Sequence, residues 1–279
     1  MSLLARLVAA ILLWLGIVRD DRPKVGPRTI DDPFNFIVQR RPDGRLATVH
    51  DLLTERRHDW PLPGGWAASD SVLLDDGRAL QTFDFTRTEH DAGDGGQILS
   101  VGSDGFVRID QTRDGGKAWM QYFVGLGSGG TGWIAFGVDA PTGMWRILVA
   151  TLAGSNWQDA RPAVLDRALT RYRLEVASFP FAVAGVVETR SLRVIISEHY
   201  DRDTMAASTA MERSWFAEGY GLVRWEAWGR TEDAPIADLP ARYQWVAYSD
   251  PPAAGWHLDD VRTYTNIVPC APTAVPVMS

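Results

Sequence analysis

The chain has 279 residues, 46% of them hydrophobic, with twelve tryptophans, one cysteine and a net charge of −7. That length and apolar content suffice for one large core or two modest ones, and all-β single domains of this size are ordinary. The acidic balance and the lack of a basic patch argue against a nucleic-acid partner, while Cys270 alone excludes an intrachain disulfide or a multi-cysteine zinc site.

Residues Leu7–Val18, LVAAILLWLGIV, form an apolar run behind Arg6. Spanning a bilayer takes about twenty such residues, so the run is short for a transmembrane helix and fits a signal-peptide core. The reading is an exported protein, periplasmic, extracellular or membrane-anchored, with residues 1–18 as signal peptide or anchor. Residues 19–33, rich in charge and proline, read as a linker.

A folded domain is expected over residues 34–263, followed by a proline- and alanine-rich tail over 264–279. Phe34–Arg40 reads as a first strand. Asp51–Trp66 reads as a long loop carrying Trp60 and Trp66, placed to wall a groove. Ser69–Leu74 and Ala79–Phe85 flank the turn DDGR at Asp75–Arg78, a strong hairpin signal. Asp91–Gly96, DAGDGG, reads as a polar turn whose alternative is a structural calcium loop through Asp91 and Asp94; it lacks the full calcium-loop spacing.

Short strands then follow at Gln97–Gly102, Gly105–Asp110, Lys117–Val124, Gly132–Val138 and Met144–Thr151, divided by Gly and Asp turns. Asp159–Thr170 reads as the one interior helix, with Pro162 in its first turn. Arg171–Ser178, Val183–Glu188, Arg242–Tyr248 and Trp256–Thr263 complete the strands. Together they predict an all-β, two-sheet antiparallel sandwich of jelly-roll or concanavalin-like type with one short helix. No fixed-period repeat is visible, which argues against a propeller or solenoid.

Thr112–Trp119, TRDGGKAW, resembles the Asp-box of sialidases and related propellers. The resemblance implies a locked β-hairpin, with Thr112 and Asp114 bonding turn amides, Gly116 left-handed and Trp119 packed beneath. It implies nothing about catalysis, since the box is a structural turn common in glycan-handling proteins.

Leu192–Arg230 carries almost every residue able to do chemistry. Because strands send successive side chains to opposite faces, Leu192, Val194 and Ile196 share an apolar face, and Glu198 on that parity is expected to be buried and paired, or else to lie just past the core edge. In Tyr220–Trp228, one face holds Tyr220, Leu222, Arg224, Glu226 and Trp228, and the other holds Val223, Trp225 and Ala227 for the core. Polar groups between aromatic platforms commonly make a sugar groove, and a solvated sheet face with an Arg224–Glu226 ion pair is the plainer alternative.

The hairpin loop decides what joins Glu226. A two-residue loop places Glu212 opposite Trp225, whereas a three-residue loop places Glu212 on the face of Glu226. The sequence GYG offers glycines for the positive φ that the longer loop needs. Glycoside hydrolysis would use Glu226 and Glu212, about 5 Å apart for retention. Elimination at a uronic acid would use Arg224, His199 and Tyr220 instead.

In either case Trp228, Trp60 and Trp66 are the expected substrate-binding walls. The expected partner is a polysaccharide or oligosaccharide, with no cofactor and no transition metal, because the five histidines lack ligand spacing. A non-catalytic carbohydrate-binding or cell-surface structural module uses the same face without the chemistry.

Overall fold

The computed structural model describes residues 29–41, 43–54, 66–84, 94–113, 118–120, 122–125, 130–131, 133–154, 166–183, 186–230 and 250–265. Among the described residues two short helices, α1 (Phe34–Ile37) and α2 (Val49–Thr54), precede the strands. These are β1 (Trp66–Leu73), β2 (Ala79–Asp84), β3 (Asp94–Val101), β4 (Phe106–Arg113), β5 (Ala118–Met120), β6 (Tyr122–Gly125) and β7 (Gly130–Thr131). They continue with β8 (Trp133–Gly137), β9 (Arg146–Gly154), β10 (Asp166–Val183), β11 (Val186–Tyr200), β12 (Ala210–Ala217), β13 (Gly221–Gly229) and β14 (His257–Thr265).

The strands run β5-β4-β3-β2-β1-β14-β13-β12-β11-β10-β9-β6-β7, with β8 on β4. Pairing is antiparallel except between β1 and β14, and the strands form the two layers of an all-β sandwich. The main core lies between the layers: Leu99, Val107, Ile109, Ile134 and Phe136 from one meet Tyr172, Leu174, Ile195, Phe216 and Leu222 from the other. Phe136 packs at a tilt against Phe216, ring centres 5.3 Å apart, and meets Phe36 edge-on at 6.5 Å, so α1 closes one end of this core.

Helix α1 replaces the strand expected at Phe34–Arg40. Asp32 Oδ1 accepts the Phe34 N–H at 2.9 Å and Phe34 O accepts that of Val38 at 2.9 Å. The turn buries Phe36 and Ile37. Ile30, read as linker, is also buried in this core, with Thr29 and Ile30 both donating to Val138 O.

The expected helix Asp159–Thr170 also needs correction: residues 166–170 are strand, Leu169 pairing with Val149 and Thr170 with His199. Pairing with β9 along this stretch, joined by β11 from Thr170 onward, overrides the local helical pattern. Residues 159–165, the strand expected at Arg242–Tyr248, and Leu7–Val18 lie outside the described residues. Among the described residues no helix is long and apolar enough to cross a membrane.

The DDGR hairpin forms as read, with Leu73 opposite Ala79 and Gly77 at φ 81°. Thr112 pairs with Trp119 across β4 and β5, residues 114–117 lying outside the description.

Candidate functional site

Strands β12 and β13 are joined by the three residues Glu218–Tyr220, with Gly219 and the following Gly221 at φ 81° and 74°. Backbone bonds to α1 and its flank hold the loop: Gly219 N donates to Asn35 O and Arg40 N to Gly219 O. Ala217 then pairs with Gly221, and Phe216 with Leu222. Continued unbroken, that register would bring Glu212 to Glu226.

A β-bulge intervenes. Trp215 pairs with Arg224 and Arg213 with Glu226, so Val223 is the extra residue and the parity beyond it is reversed. Glu212 therefore pairs with Ala227 and lies exposed on the face opposite Glu226. The carboxylate pair needed for glycosidic hydrolysis is not assembled.

His199, the β11 partner of Glu212, shares that opposite face. It is buried, its Nε2 2.8 Å from Ser197 Oγ, which also bonds Ala135 O of β8. Burial pushes its pKa down to about 4, against a smaller upward pull from Glu198. His199 and Arg224 thus stand on opposite sides of the sheet, and the elimination set is not assembled either.

On the Glu226 face the cross-strand partners form a row, Arg171, Glu198, Arg213 and Glu226, from β10 to β13. Charges alternate along it. Glu198 and Glu226 are both fully buried. Arg213 donates to Glu198 Oε1 through Nε at 2.9 Å and Nη2 at 2.7 Å, and through Nη1 to Glu226 Oε2 at 3.2 Å. Arg171 Nε and the Tyr200 hydroxyl, the latter at 2.6 Å, donate to Glu198 Oε2. Trp228 Nε1 donates to Glu226 Oε2 at 2.8 Å, while Arg224 Nε lies 2.7 Å from Oε1.

Burial alone would raise the Glu198 pKa, but Arg213, Arg171 and Tyr200 outweigh it and hold the carboxyl below its ordinary value. Glu198 is therefore an ionised anchor and not a proton donor at neutral pH. Arg224 is shifted down by burial, with Glu226 opposing.

Above this row lies a pocket of about 350 Å³, lined by Trp145, Arg171, Arg173, Glu175, Arg213 and Trp215, with Ile196 and the segment 250–252. Arg213 Nη1 also donates to Asp250 O at 2.9 Å, tying that wall to the charged row beneath. The guanidinium carbons of Arg171 and Arg173 lie 4.2 and 4.4 Å from the centre of the Trp145 ring. Trp215 is braced edge-on by Phe179 at 5.8 Å, with Arg224 5.5 Å from its ring centre.

Of the residues nominated from sequence, Arg224, Glu226 and Trp228 do share a face, but they form the support of the pocket and not its lining. Trp228 is buried among Leu169, Tyr200, Met211 and Trp256. Tyr220 sits in the hairpin turn, where its hydroxyl receives Arg190 Nη1 at 2.8 Å. Trp66 opens β1 opposite Thr263, and Trp60 lies outside the described residues.

Trp225 packs on the main core as expected, whereas Val223 packs with Trp215 and Ile196 on the Arg224 side because of the bulge. The missed residues are Trp145, Arg171, Arg173, Arg213 and Trp215. Their signal was present in RYRLE at 171–175, where charged positions alternate with Tyr172 and Leu174.

Among the described residues no group of three or more His, Cys, Asp or Glu could hold a metal ion; Asp91 lies outside them and Asp94 opens β3 opposite Asp84. The chain matches no protein-family model, no curated protein and no solved structure.

Proposed function

We propose that the protein is an exported glycan-binding β-sandwich, the non-catalytic alternative raised by its sequence. The observation that carries this reading is the pocket itself, whose lining brings Trp145 and Trp215 together with Arg171, Arg173 and Arg213. Sugar sites combine flat apolar surfaces with a few directed hydrogen-bond donors, and about 350 Å³ lies within the range of small-ligand pockets.

The buried carboxylates support binding over hydrolysis. A general acid must meet the glycosidic oxygen, and Glu226 is enclosed by Arg213, Arg224 and Trp228. Its role is then to hold Arg213 and so preorganise the pocket floor, which lowers the ordering cost of binding.

Tryptophan fluorescence and affinity electrophoresis of the full chain against a polysaccharide panel test the reading. Saturable binding is expected, weakened roughly tenfold or more by Trp145→Ala, the equivalent of about 1.4 kcal/mol. Binding that is indifferent to Trp145→Ala, or no binding to any glycan, would overturn it.

A further inference from the structure

We infer that the pocket selects acidic glycans, taking the ring carboxylate of a uronic acid between Arg171 and Arg173 beside Trp145. This rests on the glycan-binding reading and goes further by naming the class of sugar.

The argument begins with which donors are already used. Arg171 spends its Nε on Glu198, and Arg173 sets its Nε 2.8 Å from Glu175 Oε2. Among the described residues, the Nη groups of both make no hydrogen bond. Each guanidinium keeps its terminal N–H edge, and contact with the Trp145 ring helps to fix its position. Two such forks in one pocket match the planar, two-oxygen geometry of a carboxylate better than they match scattered hydroxyls.

Charge points the same way. Among the lining residues Arg171, Arg173 and Arg213 outnumber Glu175 and Asp250, and beneath them both oxygens of Glu198 and of Glu226 lie against donors within the protein, Arg224 among them. Of the two acids, Asp250 is exposed, where water and salt screen its charge. A local arginine cluster of this kind overrides the net charge of −7 at short range. Beside it, Ile147 on β9 stands opposite Arg171 and is 59% exposed, an apolar lip for the C–H face of the same sugar ring.

The test compares oligosaccharides of galacturonate, glucuronate and mannuronate with their methyl esters, which keep the ring and remove the charge. Calorimetry on the full chain should show at least one free acid binding tenfold or more tighter than its ester. Arg173→Gln should abolish that preference while the ester still binds, and circular dichroism should show the variant folded.

Equal binding of acid and ester for every sugar would sink the acidic selectivity and leave glycan binding standing. A preference that survives in both Arg173→Gln and Arg171→Gln would also overturn the assignment, by placing the carboxylate elsewhere. Failure to bind any glycan would sink both readings together.

Discussion

Arg213 stands opposite Glu226 across β12 and β13, its Nη1 3.2 Å from the carboxylate, at a place that the three-residue loop alone would give to Glu212. The bulged Val223 makes the difference. One inserted residue exchanges two like charges for an ion pair, and sets an arginine where the hydrolysis reading needs its second carboxylate.

Because Arg213 bonds both buried carboxylates, its removal leaves two charges without their shared partner. Arg213→Met is expected to cost about 3–5 kcal/mol, the range for breaking one side of a buried pair. Glu198→Gln should cost less, since it leaves no unpaired anion. Urea unfolding of the two variants and their double checks this: a coupling of roughly 1–3 kcal/mol is expected, and additive losses would contradict the shared-partner account.

His199 sets the acid side of the stability profile. Its folded pKa is pushed down to about 4 from an ordinary 6.5, so the unfolded chain takes up the proton first as pH falls. The associated stability is complete above pH 6.5 and is lost between there and pH 4, amounting to about 3 kcal/mol. Glu198, also shifted down, adds a second loss below its ordinary value of 4.5. An imidazole NMR signal assigned to His199 by its loss in His199→Gln, and titrating near neutral pH in the folded protein, would contradict the burial of this one among the five histidines.

Gly219 and Gly221 separate backbone strain from crowding. Both have positive φ, but a Cβ on Gly219 would meet open space, whereas one on Gly221 would lie 2.7 Å from Ser71 Oγ and 2.9 Å from its Cβ. Each alanine substitution should cost about 1–3 kcal/mol for left-handed backbone. Gly221→Ala should cost distinctly more, because Ser71, held by its hydroxyl bond to Ile37 O, must also move. Equal melting temperatures for the two variants would show that the Ser71 contact carries no weight.

Much of this was readable from residue pattern. DDGR announced its hairpin, the glycines of GYG suited a three-residue loop without deciding between the registers, and the apolar parity of Glu198 left a buried, paired carboxylate as one of two outcomes. The bulge at Val223 was not readable, because a one-residue shift in pairing leaves every side chain in the same order along the chain. The pocket was hidden for another reason: Trp145, Arg171, Trp215 and Pro251 come from four separate stretches, and only the pairing of β10, β11 and β12 assembles them. At 166–170, local helical pattern lost to pairing with β9, joined by β11 at Thr170, and at Phe34 the strand pattern lost to the turn begun by Asp32.

The most direct test of the account is a paired measurement on wild type and Glu226→Gln: ligand binding on one hand, and release of reducing ends or unsaturated sugars on the other. The account predicts saturable glycan binding by the wild type without either product, and a Glu226→Gln variant that is less stable but binds through the same pocket. A wild type that cleaves a polysaccharide, and a folded Glu226→Gln that binds it without cleaving, would contradict it.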